Sequence, residues 1–445
     1  MPVLTQSGRS RSRAVGVVLV ALVLGAISLA TLGSRPGEPP EPDPWCFVCG
    51  ALNGIDFILN IALFIPLGIA LRVAGATRRR SLLVIVGTTL AIEVLQLGIP
   101  GRVTSSGDLA ANSLGGAIGV ALGEWWRTVL IPAGPLARRM TLVAAAGWLS
   151  ALGLTLWLFE PAFPDARYWG QIAPELGQFD HFRGRVLGAY VGDIPIPSHE
   201  MPDSRAVRDL LSREGTVVQA SIISERLTIR VAPIVSMFDG RQREIFVLGQ
   251  EGANLMFRIR RRAVALGLNP PSISMWGVLH PRPEGRAPGD TLVVSAWHEG
   301  YRMHLAADLP DRRIERTLLL RPTWGWALIF PFERTSVPSG RVFTMVWVAF
   351  LVFPLGYYAA LAMQPAERRT PRGRASRWWP LAAVPIVVAA ALAVGLEAIP
   401  RAVGAGPAQP GEWQGVAMGI AAGLAVSSLA LVITRAHSRI ARAST

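Results

Sequence analysis

The chain has 445 residues, of which 51% are hydrophobic and only 17% are charged, and its mean hydropathy is +0.38. This composition argues against a single water-soluble globule. A glycine content without a period and a total of two cysteines exclude a collagen-like chain and a disulfide scaffold. The net charge of +14 comes from 44 basic residues, all of them arginine, so their positions decide between a nucleic-acid surface and a membrane topology.

Apolar runs long enough to cross a bilayer occur on both sides of a polar middle segment. A transmembrane helix needs roughly 20 apolar residues, and eight runs meet this requirement. They are residues 14–32, 55–73, 81–99, 108–126, 141–159, 341–362, 379–399 and 413–434. The sequence therefore predicts an α-helical membrane bundle of about eight transmembrane helices, interrupted by one large aqueous domain.

The arginines predict the orientation of these spans. With a cytoplasmic N-terminus, the inner segments carry 18 arginines and the short outer loops only three, Arg35, Arg102 and Arg401. Basic residues in short loops favour the cytoplasmic side. We therefore expect both termini in the cytoplasm and residues 160–338 outside the cell membrane, and we expect no nucleic-acid partner.

The first span allows two interpretations. The sequence RSRSR before an apolar run resembles the start of a cleaved signal peptide, but the run is long and no Ala-x-Ala site follows. A retained anchor helix at residues 1–33 is therefore favoured over cleavage. Both interpretations give the same topology.

Cys46 and Cys49 lie in the first outer loop, in the sequence PWCFVCG. Gly50 occupies the position where a haem-attachment motif needs histidine, and two sulfurs are too few for a structural zinc site. A local disulfide or an unpaired thiol pair is favoured over a redox role. We expect no cofactor and no metal site.

Polar residues inside spans two to four mark the candidate functional site, because such groups are costly in a bilayer. Spacings of three and four place them in pairs on helix faces, and the predicted orientation brings all the pairs to the outer half of the membrane. We call these residues the polar cluster: Asp56, Asn60, Glu93, Gln96, Arg102, Asp108 and Asn112. Such a set would suit a polar headgroup, a glycan-linked lipid or a cation. The alternative is that these groups only join helices by hydrogen bonds.

Three segments in order, DFILNIALFIPLG, IEVLQLGIPGR and DLAANSLGGAIG, resemble the VanZ-like family of bacterial membrane proteins over about residues 50–125. By this resemblance, the polar cluster occupies the characteristic polar positions of the family. The founding member is associated with resistance to the glycopeptide teicoplanin. The resemblance implies an envelope membrane protein, with a VanZ-like unit at residues 50–159.

The C-terminal spans resemble a second copy of this unit. A shift of 304 residues aligns two acids and three glycines with their counterparts, and LFIPLG at 63–68 is echoed by LVFPLG at 351–356. The aligned pairs are Glu93 with Glu397, Gly107 with Gly411, Asp108 with Glu412, Gly115 with Gly419 and Gly119 with Gly423. Because Pro400 and Val416 replace Gln96 and Asn112, we expect residues 341–434 to be a degenerate unit, followed by a cytoplasmic tail at 435–445. Chance agreement between glycine-rich helices is the alternative.

The middle segment, residues 160–338, predicts an all-β extracytoplasmic domain, a sandwich or jelly roll. Seven runs rich in β-branched residues are separated by turn signals such as Asp239-Gly240, Glu251-Gly252 and Glu299-Gly300, with a short helix at 203–213. The strand order over about 215–320 is similar to concanavalin A-like (laminin G-like) domains. This resemblance implies carbohydrate binding. Their hydrolytic Glu-x-Asp-x-x-Glu arrangement is missing, so glycan cleavage is disfavoured.

Several side chains in this segment are interpreted as structural. His298 and His304 flank a hairpin turn and could bind a metal, but a surface position is favoured. Arg260 to Arg262 could meet a phosphate-bearing polymer or headgroups, but a solvated strand edge is favoured. Four tryptophans could stack on sugars, but packing is the favoured use: Trp276, Trp297, Trp324 and Trp326.

Together these features favour an envelope protein that binds a membrane lipid, an envelope glycan or a lipid-linked precursor at the polar cluster, with an exported domain that binds glycan or a partner. Two alternatives stay open. One is an intramembrane enzyme with Glu93 or Asp108 as acid or base, and the other is a structural scaffold.

Overall fold

The structure is a computed structural model that describes residues 6–33, 53–100, 102, 104–132, 134–175, 179–224, 226–279, 291–330, 337–364 and 379–443. The chain forms two compact units. The first contains residues 1–137 and 429–445, and the second contains residues 138–428. Cys46 and Cys49, and hence the predicted disulfide, lie outside the described residues.

Within the described residues, the first unit contains the helices that correspond to the first four predicted spans, together with the end of the last helix of the chain from residue 429. Thr77 caps the third helix by accepting a hydrogen bond from the Arg80 backbone N–H at 3.3 Å. The helices are α1 (Gln6–Thr31), α2 (Asn53–Val73), α3 (Arg78–Gln96) and α4 (Ser106–Leu130).

Helices α2 and α4 pack with their backbones in direct contact, because glycine removes the side chains between them. A Cβ atom on Gly115 would lie 2.2 Å from the carbonyl oxygen of Ile61, and one on Gly119 would lie 2.1 Å from that of Ile65. Small residues allow this approach in membrane helices. This contact brings the polar ends of the two helices together.

The helices of the second unit correspond to the four remaining predicted spans. Helix α9 passes through a π-helical turn at Val394–Ala398 before the short α10. The last helix continues beyond residue 434, where the predicted span ended. The long helices are α5 (Gly134–Phe159), α8 (Val337–Ala362), α9 (Trp379–Ala393) and α11 (Pro410–Ala443), and the short α10 is Ile399–Ala402.

Within the described residues, six helical segments are long and apolar enough to cross a membrane: Ala14–Thr31, Asn53–Val73, Gly134–Phe159, Gly340–Ala362, Ala382–Ala402 and Pro410–Thr434. The protein is therefore a multi-pass membrane protein. Helices α3 and α4 do not meet the criterion. Since α3 begins with three arginines and contains Glu93, the expected total of eight spans stays a prediction.

Between α5 and α8 lie two antiparallel sheets, which together form the β region, residues 160–330. One sheet has the strand order β1-β5-β6-β7-β8, and the other has the order β11-β10-β9-β4-β2-β3. The strands are β1 (Tyr168–Ile172), β2 (Gly184–Val191), β3 (Ile194–Pro195), β4 (Val218–Ser224), β5 (Val231–Asp239), β6 (Glu244–Glu251), β7 (Asn254–Ile259), β8 (Ser272–Met275), β9 (Leu292–Glu299), β10 (Arg302–Asp308) and β11 (Arg313–Leu319).

All seven predicted strands are present, and the three predicted turns join β5 to β6, β6 to β7, and β9 to β10. The expected short helix is α6 (Ser204–Leu211), capped by the Asp203 carboxylate, and a second helix, α7 (Arg262–Ala265), was not expected. Strand β5 is buried along its whole length, so both faces of its sheet are covered. A β domain is therefore present, while the jelly-roll order stays a prediction.

The expectation of a solvated edge at Arg260 to Arg262 was wrong. Arg261 is fully buried, and its Nη1 donates to the carbonyl oxygens of Phe159 at 2.8 Å and Gly300 at 2.9 Å. Burial lowers the pKa of Arg261 to about 9. Arg260 is also buried, and Arg262 pairs with Glu160 at 2.8 Å. Arg261 and Arg262 thus connect the end of β7 to the end of α5, while Arg260 pairs with Asp239 within the sheet.

The expected surface position of His298 was also wrong. Its side chain is buried, and its Nε2 lies 2.9 Å from the carbonyl oxygen of Leu211. Burial lowers the pKa of His298, which favours the neutral ring. His304 stacks on Trp297 with a ring separation of 4.8 Å. Both rings therefore serve packing between β9, β10 and α6.

Candidate functional site

The first contact in the polar cluster joins α2 to α4. Asn60, about two turns into α2, donates a hydrogen bond from Nδ2 to Oδ1 of Asp108 at 2.8 Å. Asp108 lies in the first turn of α4, and Asp56 lies one turn before Asn60 on α2 at an exposed position. The close backbone packing of α2 on α4 therefore brings the first and third predicted pairs together.

Ser105 connects this contact to α3. Its hydroxyl oxygen accepts hydrogen bonds from the backbone N–H groups of Gly107 at 3.1 Å and Asp108 at 3.3 Å, which caps α4. Its own backbone N–H donates to Oε2 of Glu93 at 2.9 Å. Asn60, Asp108, Ser105 and Glu93 thus form one continuous polar chain across three elements.

Glu93 is the most deeply buried acid of the polar cluster, with a relative exposure of 3%. Among the described residues, no basic side chain lies within ion-pair distance of its carboxylate. A buried carboxylate is costly unless it is paired, well hydrogen-bonded or protonated. One backbone N–H is a small compensation, so this position favours a proton or an external donor.

Asn112 extends the cluster along α4. Its Nδ2 donates to the hydroxyl oxygen of Thr89 on α3 at 2.8 Å, while its Oδ1 is buried without a hydrogen-bond partner among the described residues. Buried polar atoms are normally satisfied. The free oxygen is therefore an acceptor that a ligand or an ordered water could use.

The two remaining members of the cluster reach toward the first helix instead. Gln96 donates from Nε2 to the carbonyl oxygen of Thr31 at 2.9 Å. Arg102 donates to the carbonyl oxygens of Gly33 at 2.8 Å and Ala30 at 3.2 Å. These contacts satisfy carbonyl groups at the end of α1. The predicted cluster is thus divided between an acidic and amide part and a part that holds α1.

Chemically, the acidic and amide part offers acceptors and few donors. Carboxylate and amide oxygens suit hydroxyl, ammonium or cationic groups of a ligand. No group of three or more histidine, cysteine, aspartate or glutamate residues suited to a metal ion occurs in the described ranges.

Three residues that form hydrogen bonds with the polar cluster were not predicted from the sequence: Thr31, Thr89 and Ser105. Serine and threonine are common in apolar helices and give no strong signal there. For Ser105 a signal existed, because Ser105 precedes α4 and Asp108 follows it by three residues, which is the spacing of a helix cap.

The comparison with protein families identifies this part of the chain. The model of the VanZ/LLP1 family matches residues 12–127, about a quarter of the chain, so this part is a VanZ-like membrane region. The match begins earlier than the expected boundary at residue 50 and includes most of α1. No curated protein and no solved structure matches the chain, and the concanavalin A-like resemblance of the β region stays a prediction.

Proposed function

We propose that this multi-pass membrane protein, whose residues 12–127 form a VanZ-like region, binds the polar headgroup of an envelope lipid or a lipid-linked glycan precursor at the polar cluster. In this proposal the cluster faces the outer leaflet. The exported β region binds glycan or a protein partner, and the protein contributes to tolerance of glycopeptide antibiotics.

The observation that carries the proposal is the burial of Glu93 with a single backbone donor. A ligand hydroxyl or ammonium group would supply the missing donor. The unpartnered Oδ1 of Asn112 offers a further acceptor on the neighbouring helix. The arginine distribution supports the outer position, because it favours a cytoplasmic N-terminus.

The test compares two variants in a deletion strain. Asp108→Asn combined with Glu93→Gln removes both carboxylates while keeping their shapes, and Glu124→Gln removes an exposed acid from α4. We expect the double variant to insert normally but to fail to restore teicoplanin tolerance to the deletion strain. The control variant should restore it fully. Full complementation by the double variant would refute the site.

Ligand identity is addressed by mass spectrometry of lipids and glycans that copurify with the detergent-extracted protein. We expect one lipid class to be enriched on the wild type and depleted on the double variant. Turnover of a labelled envelope lipid by the purified protein would instead indicate an intramembrane enzyme.

A structural scaffold is the second candidate, because hydrogen bonds from Asn60, Gln96 and Asn112 each connect different helices. Such bonds stabilise membrane bundles modestly. This candidate predicts that the double variant loses stability and function together. Selective loss of function at unchanged stability would exclude it.

A further inference from the structure

A pocket in the β region carries an unusual concentration of positive charge. It has a volume of about 470 Å³ and lies between the start of β1 and the turn that joins β5 to β6. This volume falls in the range of small-molecule sites. Four of the residues that line it are arginines, namely Arg167, Arg241, Arg243 and Arg260.

The two aspartates of the pocket neutralise only part of this charge. Asp239 uses Oδ1 to accept the backbone N–H groups of Arg241 and Arg243, both at 2.9 Å, and its Oδ2 lies 3.4 Å from Nη1 of Arg260. Asp165 pairs with Arg208, which does not line the pocket. Both carboxylates are therefore already engaged.

Arg241 and Arg243 are left as the surplus charges. Among the described residues, neither guanidinium group has a carboxylate within 4.0 Å, whereas Arg167 pairs with Glu200 at 3.4 Å. Burial lowers the pKa of Arg260, and the like charge of Arg243 lowers it further. Like charges that line one pocket favour an anion between them.

The remaining wall offers an aromatic surface. Trp169 of β1 covers the turn, since a Cβ on Gly240 would lie 3.2 Å from Cζ3 of its indole ring. The ring is only partly buried and lines the pocket. Large, rigid, amphipathic rings of this kind are frequent in recognition surfaces.

We propose that this arginine pocket, defined by Arg241, Arg243, Arg260 and Trp169, binds a sugar that carries a phosphate group. Two surplus guanidinium groups match a phosphate monoester, whose charge is about −1.5 to −2 at neutral pH. Their planar forks suit its oxygens, and the indole provides a surface for the sugar ring. The inference rests on the proposed glycan-binding role of the exported β region and does not depend on the polar cluster.

The experiment uses the full-length protein in nanodiscs of zwitterionic lipid, titrated by calorimetry with glucose phosphate, inorganic phosphate and glucose. Arg241→Gln with Arg243→Gln removes the surplus charges. The matched control, Arg205→Gln with Arg312→Gln, makes the same charge change at two exposed positions of the β region that do not line the pocket.

We expect glucose phosphate to bind the wild type with a dissociation constant of about 1 mM or below and more tightly than either other probe. The pocket variant should bind about tenfold more weakly or worse, and the control should match the wild type. Equal affinity for inorganic phosphate and glucose phosphate would overturn the role of the sugar. Absence of binding, or equal losses in both double variants, would overturn the site. Because Glu93 and Asp108 are unchanged here, failure would leave the complementation test of the polar cluster unaffected.

Discussion

Two helix pairs in this protein pack in the same way but have different polar contacts at their ends. In the first unit, a Cβ on Gly68 of α2 would collide with the backbone of Gly116 of α4 at 2.2 Å. In the second unit, a Cβ on Gly356 of α8 would lie 2.9 Å from the Cα of Ile420 of α11. Gly356 and Ile420 are the positions that the internal alignment assigns to Gly68 and Gly116.

The agreement extends along both contacts. Gly115 approaches the carbonyl of Ile61, and Gly419 approaches that of Ala349. These matched contacts support our proposal that residues 341–434 are a degenerate copy of the VanZ-like unit. Both helix pairs need small residues at these positions, because a clash between an added side chain and a backbone cannot be relieved by repacking other side chains.

The polar ends differ because the proposed second copy receives a partner from the β region. Glu412, which aligns with Asp108, has an exposure of 1% and is bound by Nε and Nη2 of Arg321, both at 2.9 Å. Thr323 and the backbone of Gln409 also donate to it. Glu412 is therefore an internal anchor, whereas Glu93 of the first copy has one backbone donor. A buried acid can thus stabilise the fold in one proposed copy and belong to a candidate binding site in the other.

The largest expected effect comes from breaking that anchor. Arg321→Met should destabilise the protein by about 3–5 kcal/mol, because it leaves Glu412 buried without its cation. Guanidinium unfolding in detergent, followed by tryptophan fluorescence, measures the change. Combining Arg321→Met with Glu412→Leu should recover part of the loss. Arg302→Met, which removes an exposed arginine that donates to the Gly404 carbonyl, should cost under about 1 kcal/mol.

The helix contacts themselves should respond alike in both units. Gly119→Ala and Gly423→Ala should each cost about 1–3 kcal/mol, because the added Cβ would lie 2.1 Å and 2.5 Å from backbone atoms. Gly87→Ala and Gly153→Ala are the controls, since nothing lies within 4 Å of their added Cβ, and they should be neutral or stabilising. If Gly423→Ala behaved like the controls, the structural parallel between the copies would fail.

Local patterns predicted the elements well, while long-range partners escaped prediction. The turn at Asp239-Gly240 was readable from two adjacent residues, and the four-residue spacings of Asp56 with Asn60 and of Asp108 with Asn112 indicated shared helix faces. Arg321 and Glu412 are 91 residues apart, and Arg261 finds its carbonyl partner Phe159 at a separation of 102. A sequence pattern carries no information on such pairs. Short strands such as β3 and β8 were missed because two to four residues give no measurable alternation.

A smaller effect is expected for the hydrogen bond that joins α3 to α4. A double-mutant cycle of Asn112→Ala and Thr89→Val should give a coupling of about 0.6–2 kcal/mol, measured by unfolding in detergent. The second copy has Val416 in place of Asn112, so Val416→Ala should lose only packing. A coupling near zero would mean that the contact between Asn112 and Thr89 adds nothing to the first copy.

The smallest effect on stability is expected for Glu93→Gln, which contrasts with the same amide replacement at Glu412. Glu412→Gln should cost about 1.5–3 kcal/mol, because it weakens charge-assisted hydrogen bonds to Arg321. Glu93→Gln should change the free energy of unfolding by less than about 1 kcal/mol, since the amide oxygen can still accept from the Ser105 backbone and no buried cation is left unpaired. Unfolding of both variants in detergent, together with complementation by Glu93→Gln, measures the contrast. A loss of stability in Glu93→Gln as large as that in Glu412→Gln would show that Glu93 is also an internal anchor, and the buried acid would then no longer support ligand binding at the polar cluster.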